Sequence, residues 1–534
     1  VKRPLARTLA GVVAEKAAAD PSHPAIFHGG RVLSYAELHE RAQAAARGLR
    51  ALGVRPGERV GTLLGNEPDW VVMALAAATV GAVFVPLNTW YKSSELGWTL
   101  RHCGLSVLVT CRHFLKTDYG ALLSGLIPEL AASAPGALRS AGFPDLRALV
   151  FLGDPVPGGM RWSEMLRAGD MVAAIDPAAV DPASAAYILY TSGSTADPKG
   201  VLLRHQGVVE NGFDLGQRRA ITSADRTWLG TPLFYALGAT NALPATFTAG
   251  ASLVLQDSFD AGGAIETIRR TGASVFYGTG NISRAILDHP DFSRGAIGTL
   301  KKGNAGLGAE YKRLTLVEMG ITGAVPAYGL TESYGNAAVG LPDDTLDVKL
   351  ATNGTPLPGM EIRIVDPVGG RDVGQGESGL ILIRGHTTPG YFDNPVETAK
   401  ALRGDGFFDT GDLGAFDPEG RLIFHSRLKE VIKSGGINVS PSEVEQLLAS
   451  HPDVRDAHVV GVADSVRGEL IVAFVDPLVR ISEESLRAFV KERAASFKVP
   501  HHIFFRGESQ LPRLATGKIA KVRLAEEARR ELGL

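Results

Sequence analysis

The sequence predicts an α/β protein with a large N-terminal domain of helix-covered, largely parallel sheets and a small C-terminal α+β domain. Three observations predict it. The chain has 534 residues, more than one hydrophobic core normally organises. Between about residues 225 and 290, short apolar strands alternate with helical patterns, as parallel strands joined by covering helices require. The last hundred residues change texture to helix, two strands, helix and a charged tail.

Each element has its own signal. Ser34-Tyr-Ala-Glu37 fits a capping box, apolar spacing continues through Leu49, and Gly53 marks a stop. Ala185-Ala-Tyr-Ile-Leu-Tyr190 reads as a short buried strand. Thr227–Thr231 and Ala251–Leu255 read as strands, Ile265–Arg269 as part of a helix, and Ala273–Tyr277 as the next strand. Further on, a helix starts near Ser440-Pro-Ser-Glu443, with Pro441 tolerated in its first turn. His458–Val462 and Glu469–Phe474 are strand candidates, and Ser482 caps a following helix. The texture change places a boundary near residues 425–430, giving domains 1–427 and 428–534. No internal repeat, heptad array or low-complexity segment interrupts this order.

Composition removes several function classes. Apolar content of 45% and charged content of 21% are those of an ordinary globular protein. A net charge of -2 gives no electrostatic case for nucleic acid or an acidic membrane surface. Cys103 and Cys111 make no disulfide framework, no Cys/His spacing suits zinc, and the 13 histidines are scattered. A reducing cytoplasm fits this usage. No apolar run reaches the length of a membrane span. Glu15, Lys16 and Asp20 interrupt any signal-peptide core, so Asn281-Ile-Ser283 and Asn438-Val-Ser440 carry no weight as glycosylation triplets.

The chemistry is concentrated in Tyr190-Thr-Ser-Gly-Ser-Thr-Ala-Asp-Pro-Lys199-Gly-Val201. After a buried strand, this loop offers the hydroxyls of Thr191, Ser192, Ser194 and Thr195, the glycines Gly193 and Gly200, and Lys199. Glycines let backbone N–H groups approach an anion, while hydroxyls and an ammonium supply further donors. A surface turn is the plain alternative, but hydroxyl density with a lysine is specific to phosphate work. A Walker loop is excluded, because Lys199 precedes a glycine and not Ser or Thr.

The loop resembles the signature of the adenylate-forming superfamily, which includes acyl-CoA synthetases, peptide-synthetase adenylation domains and beetle luciferases. Other segments match in the superfamily's order: Gly81-Ala-Val-Phe-Val-Pro-Leu-Asn88, Pro232-Leu-Phe-Tyr-Ala-Leu-Gly238, Tyr328-Gly-Leu-Thr-Glu332, Asp409-Thr-Gly-Asp412, Arg427-Leu-Lys429-Glu-Val-Ile-Lys433-Ser-Gly-Gly436 and Thr516-Gly-Lys518-Ile. Singly each is weak; their joint order over most of the chain is specific.

The resemblance implies ATP, Mg²⁺ and a carboxylic acid as partners, with an acyl-adenylate formed as pyrophosphate leaves. Two anions must meet, so charge neutralisation and positioning dominate. Lys199 and residues 191–195 would hold the departing phosphates. Glu332 would hold Mg²⁺, Thr331 would sit by the α-phosphate, and Asn304 and Ala305 would lie at the AMP moiety. Asp412 and Arg427 would take the ribose hydroxyls, Tyr328 would lie beside adenine, and Lys518 would bridge carboxylate and α-phosphate. Alone, Asp412 and Glu332 read as turn or helix-start residues, Arg427 as a surface ion-pair partner, Lys518 as one tail charge and Tyr328 as core.

For the second half-reaction, the resemblance implies a mobile C-terminal domain rotating about Lys429. Lys433, Gly435 and Gly436 would line a tunnel for the pantetheine arm of CoA, although a Gly-Gly turn is the bland alternative. A lysine hinge followed by Gly-Gly is similar to the acyl-CoA synthetase branch. Carrier-protein loading is the alternative within the superfamily, with no carrier domain following Lys518 in this chain. A catalytically inactive nucleotide-binding protein is the alternative outside it. A homodimer is compatible with the resemblance.

Three departures concern the acid. Tyr235 stands where many relatives have histidine, Gly278-Thr-Gly-Asn281 lacks a usual proline, and Gly303-Asn304-Ala305-Gly306 replaces Gly-Gly-Ala or Gly-Ala-Ala. Candidate pocket residues are Tyr235, Gly238, Asn281, Gly306, Ala327, Tyr334 and Asn336. They are mostly neutral, with no obvious arginine for a second carboxylate. The expected substrate is therefore a neutral-tailed acid: medium-chain, branched, cyclic or aromatic.

Overall fold

A computed structural model describes residues 1–191, 198–434, 437–464, 467–513 and 519–534. The chain forms two compact units: residues 1–307, 311–361 and 383–408 in the larger, residues 308–310, 362–382 and 409–534 in the smaller. No helix among the described residues is long and apolar enough to cross a membrane.

Two sheets, of nine and seven strands, organise the larger unit. In the first, Pro24–His28, Ser252–Leu255, Arg226–Leu229, Val275–Tyr277, Lys302–Gly306 and Gly323–Tyr328 are parallel neighbours in that order. In the second, Arg59–Leu63 lies between Val83–Pro86 and Leu105–Cys111, all parallel. The antiparallel hairpin of Ala185–Thr191 and Lys199–Arg204 forms one edge of this sheet. The α/β pattern read from residues 225–290 is therefore present, with the helix Ala261–Thr271 between Ser252–Leu255 and Val275–Tyr277.

Helix packing follows residue chemistry. Pro68–Val80 is apolar on nearly every side, and all but Asp69 of its residues are buried. It packs on the helices Leu9–Ala19 and Tyr35–Ala51 and on the strands Arg59–Leu63 and Val83–Pro86. The helix Tyr35–Ala51 begins with the expected capping box: the Ser34 hydroxyl accepts from Glu37 N–H and the Glu37 carboxylate accepts from Ser34 N–H at 2.7 Å. Gly53 follows it with φ +77°, in the left-handed region open to glycine.

The smaller unit contains a four-stranded and a five-stranded sheet. Val454–Asp464 and Gly468–Pro477 form its longest hairpin, His458 facing Phe474, and His502–Phe505 adds in parallel. Alternate residues feed two cores. Val459, Ile471 and Ala473 pack with Val444, Leu448, Leu486 and Val490 of the helices Pro441–Ala449 and Glu483–Arg493. Val460, Val472 and Phe474 pack with Leu524 and Ala528 of the final helix, Lys521–Glu531. What the sequence shows as a charged tail is thus an amphipathic helix.

Compactness does not follow chain order. Gly379–Arg384 and Phe408–Phe416 pair in the four-stranded sheet with Leu422–Arg427, so residues before 428 also belong to the smaller unit. The boundary expected at 428 refers to an expected rotation, a separate property from packing.

Candidate active site

Open parallel sheets bind ligands beyond the carboxyl ends of their strands, where loops converge and backbone groups are unpaired. In the larger unit, Tyr277-Gly278, Gly306 and Tyr328-to-Glu332 occupy such ends of neighbouring strands.

The edge expected to take phosphate begins at the antiparallel hairpin, whose register sets Thr191 opposite Lys199. Ser192, Gly193, Ser194 and Thr195 lie outside the described residues, as do Gly435, Gly436 and Lys518. The Lys199 ammonium pairs with the Glu397 carboxylate and stands 5.1 Å above the Tyr391 ring centroid. Lys400 also reaches Glu397, at 2.6 Å. Hydrogen bonds from these two ammonium groups hold the Glu397 carboxyl down to about 2.

Thr331 and Glu332 open the 3-10 turn Thr331–Ser333, where the Ser333 hydroxyl accepts from Leu330 N–H at 3.0 Å. Tyr334 follows with φ +56°, a left-handed backbone that a bulky residue adopts only when its surroundings hold it there. The hold is visible: the buried Tyr334 hydroxyl accepts from Arg204 N–H at 3.0 Å. The Glu332 Oε1 accepts from the Tyr391 hydroxyl at 2.9 Å, and its carbonyl accepts from Thr388 N–H at 2.7 Å. Among the described residues, no donor reaches Oε2. One fixed and one open carboxylate oxygen suit a hard cation shared with phosphates.

The acyl candidates converge in part. Gly306, Ala327, Tyr334 and Asn336 are buried, Asn281 is exposed, and Gly238 is the second residue of the π-helical stretch Leu237–Ala242. At Gly238 an added Cβ would stand 2.6 Å from the Pro232 carbonyl oxygen. Tyr235 packs edge-on to Trp90 at 5.9 Å and against Phe234 at 4.6 Å. Burial pushes its hydroxyl above the usual phenol range, so it stays neutral. Gly306 has φ +78°, and a Cβ there would fall 1.8 Å from a Tyr311 ring carbon.

Behind that wall lies a residue that no sequence motif marks. Arg219 is 0% exposed. It donates to Asn241 Oδ1 at 2.9 Å and Asn304 Oδ1 at 3.2 Å, and lies 4.6 Å from the Tyr277 ring centroid. No carboxylate among the described residues pairs with it. Asn304 Oδ1 also accepts from Gly306 N–H at 3.2 Å, its amide donates to the Tyr311 hydroxyl at 3.3 Å, and Tyr311 donates to the Gly278 carbonyl. Ala305 and Tyr328 are equally interior, the tyrosine at 1% exposure.

In the smaller unit, Asp412 and Arg427 face each other across neighbouring strands, with Arg427 Nε 3.4 Å from Asp412 Oδ1. The aspartate side chain is 4% exposed and the arginine 59%. Lys429 sits exposed in the turn Leu428–Glu430. Lys433 is exposed, with its N–H held by the Glu469 carboxylate at 2.6 Å.

The chain matches the family described as AMP-binding enzyme over residues 13–392, and the AMP-binding enzyme C-terminal domain over residues 443–518. It belongs to the adenylate-forming superfamily, in the acyl-CoA synthetase branch. It is 33% identical to the mitochondrial medium-chain acyl-CoA ligase ACSF2 of Rattus norvegicus, over 95% of this chain and 85% of that one. It is 35% identical to a methyl-dioxo-octahydroindenyl-propanoyl:CoA ligase of Mycobacterium tuberculosis, over 95% and 96%. Its fold superposes on the anthranilate CoA ligase AuaEII, solved with anthranoyl-AMP, with a TM-score of 0.86, 26% identity and 99% of each chain covered. Within this branch the chain is an AMP-forming acid–thiol ligase.

For a member of the acyl-CoA synthetase branch, the informative surprises are Tyr391, Glu397, Arg219, Tyr311 and Trp90. All but Tyr311 reach the site across a long stretch of chain, so no local spacing announces them; Tyr311 lies 7 residues after Asn304 but outside any motif. Tyr391 alone carried a usable hint, an aromatic directly after Pro389-Gly390.

Proposed function

We propose that this acid–CoA ligase is ATP- and Mg²⁺-dependent, forming an acyl-adenylate before the acyl group passes to the CoA thiol. The observation that carries the reading is the phosphate edge, where Lys199 and the half-open Glu332 carboxylate are joined through one residue, Tyr391. Lys199 and Thr191, with Ser192 to Thr195, hold the departing phosphates. Glu332 offers an oxygen to Mg²⁺, which when bound neutralises phosphate charge. Thr331 takes the α-phosphate and Asn304, Ala305 and Tyr328 border the AMP moiety. Asp412 and Arg427 receive the ribose, and Lys518 supplies positive charge as the carboxylate attacks.

The domain after residue 427 rotates about Lys429, whose exposed turn leaves its backbone room to move. Rotation replaces Lys518 with the tunnel residues Lys433, Gly435 and Gly436. The acid is neutral-tailed: medium-chain, branched, cyclic or aromatic. Supporting this, Tyr235 is neutral, its neighbours Trp90 and Phe234 are aromatic, and Arg219 has no exposed surface from which to claim a second carboxylate. The named ligases similar to this chain act on medium-chain, fused-ring and aromatic acids. Two free cysteines, Cys103 buried, support a cytoplasmic setting.

The test is AMP release from ATP and Mg²⁺ over a panel of acids, each with and without CoA. Catalytic AMP release that needs CoA is expected; exchange of pyrophosphate indifferent to CoA would replace CoA with a carrier protein. Lys518→Ala should abolish adenylation and leave thioester formation from supplied acyl-adenylate largely intact. Equal loss of both steps would remove the role given to Lys518.

A further inference from the structure

Between the phosphate lysine and the carboxylate proposed for Mg²⁺ runs a strap, residues 385–401, whose side chains have no assigned role. It is stitched to the phosphate strand on one side. Leu202 N–H donates to the Gly390 carbonyl at 3.1 Å, Phe392 N–H to the Gly200 carbonyl at 2.7 Å, and the Thr388 hydroxyl to the Leu202 carbonyl at 2.7 Å. On the other side Thr388 N–H donates to the Glu332 carbonyl. The backbone at Tyr391 is pinned as well, its N–H donating to the Thr398 hydroxyl at 2.9 Å.

This places one side chain in contact with both charged groups. The Tyr391 ring lies beneath the Lys199 ammonium while its hydroxyl donates to Glu332 Oε1. An aromatic face attracts an ammonium, and a hydroxyl donor fixes the rotation of a carboxylate. The short helix Pro395–Ala401, capped by Asn394, then delivers Glu397 to Lys199. Glu397 is an anion standing where the loop chemistry calls for phosphate. Losing Lys199 would not strand it, because Lys400 remains 2.6 Å away.

We propose that Tyr391 is a positioning residue for adenylation, turning the open oxygen of Glu332 toward the metal, and that Glu397 parks Lys199 until a polyphosphate displaces it. The proposal rests on the reading of Glu332 and Lys199 given above. No bond is made or broken by either residue.

The experiment uses the full chain with Tyr391→Phe, Glu397→Gln and, as a reference, Glu332→Gln. Mn²⁺ binding in the presence of a non-hydrolysable ATP analogue is followed by electron paramagnetic resonance, and metal-free analogue binding by calorimetry. Tyr391→Phe should weaken Mn²⁺ about tenfold, the usual scale for a partner that orients a ligand, with melting temperature unchanged. Thioester formation from supplied acyl-adenylate should also be unchanged. Glu397→Gln should tighten metal-free analogue binding about threefold, since it removes a partly exposed competitor. Mn²⁺ affinity that falls in Glu332→Gln but not in Tyr391→Phe would overturn the positioning role and leave the metal reading standing. Unmoved affinity in Glu332→Gln would overturn the metal reading, and the positioning role with it. Weaker analogue binding in Glu397→Gln would overturn the parking role.

Discussion

At the phosphate edge, every described charge has an answer. Lys199 meets Glu397 and the Tyr391 ring, Glu397 also meets Lys400, and Glu332 meets the Tyr391 hydroxyl. These side chains are partly exposed, so each can exchange its protein partner for a ligand. At the acyl wall a few residues away, Arg219 is wholly buried against two amide oxygens and a tyrosine face. Lys312, in the short helix beside Tyr311, is buried and, among the described residues, meets only the carbonyls of Thr352 at 2.7 Å and Leu350 at 3.3 Å. Both regions hold cations; only the edge pairs them with anions. An edge proposed to receive ATP keeps its charges exchangeable, whereas the wall uses charge to lock neutral groups in place.

The sharpest way to break the comparison is Gly306→Ala. Its methyl would meet Tyr311 at 1.8 Å, and φ +78° already strains any other residue. The wall should deform while the edge persists. We expect acid-dependent AMP release to fall about a hundredfold, as small misplacements at reacting centres do, with ATP-analogue affinity changed less than about threefold. A matching loss of analogue affinity would mean that the two regions are one mechanical unit.

The next effect is on stability. Burial lowers the Lys312 ammonium from its ordinary 10.5 to about 7. Between these values the unfolded chain binds more protons than the folded one, so stability rises with pH across that window. Below about 7 the lysine is charged in both states and the full penalty applies, on the order of a few kcal/mol. Chemical denaturation at pH 7, 8 and 9 should show the rise, and Lys312→Met should flatten it. Staying at or below pH 9 keeps the buried tyrosines, whose hydroxyls burial pushes up, out of the measurement. An unchanged slope would show that Lys312 is not the wall's buried cation.

The contrast also explains what was legible in the sequence. The parallel sheets, the Ser34 capping box and the helix after Pro441 were readable because short-range periodicity and caps encode them. Lys199, Glu332, Asp412 and Arg427 were readable because each stands inside a contiguous motif. Arg219 was not, since its contacts with Asn304 and Tyr277 join elements 85 and 58 residues apart, and just past the end of the helix His205–Arg218 it reads as one more polar residue. In sequence the final helix looks like a charged tail, because its apolar positions Leu524 and Ala528 gain meaning only against Val472 and Phe474. Sheet pairing likewise moved residues 362–382 and 409–427 into the smaller unit, which no change of texture marked.

A gentler probe of the wall is Tyr311→Phe. It removes the hydroxyl that donates to the Gly278 carbonyl and accepts from the Asn304 amide. Losing a buried hydrogen bond of this kind costs about 1 kcal/mol or somewhat more. If the wall shapes only the acid site, kcat/KM for the acid should fall about tenfold with the ATP KM preserved. Equal changes in both would place Tyr311 in the shared frame.

The smallest effect belongs to Lys400→Gln, and it tests the edge's defining property. Lys400 is 67% exposed and shares Glu397 with Lys199. Exposed pairs contribute about 0–1 kcal/mol, because water screens them and two long side chains must be held still. Without Lys400, Glu397 leans only on Lys199, so a polyphosphate must compete slightly harder for that ammonium. ATP-analogue affinity should therefore weaken by less than about twofold, opposite in sign to Glu397→Gln. A tenfold loss would show that the edge, like the wall, depends on a rigid charge network, and exchangeable pairing would no longer distinguish them.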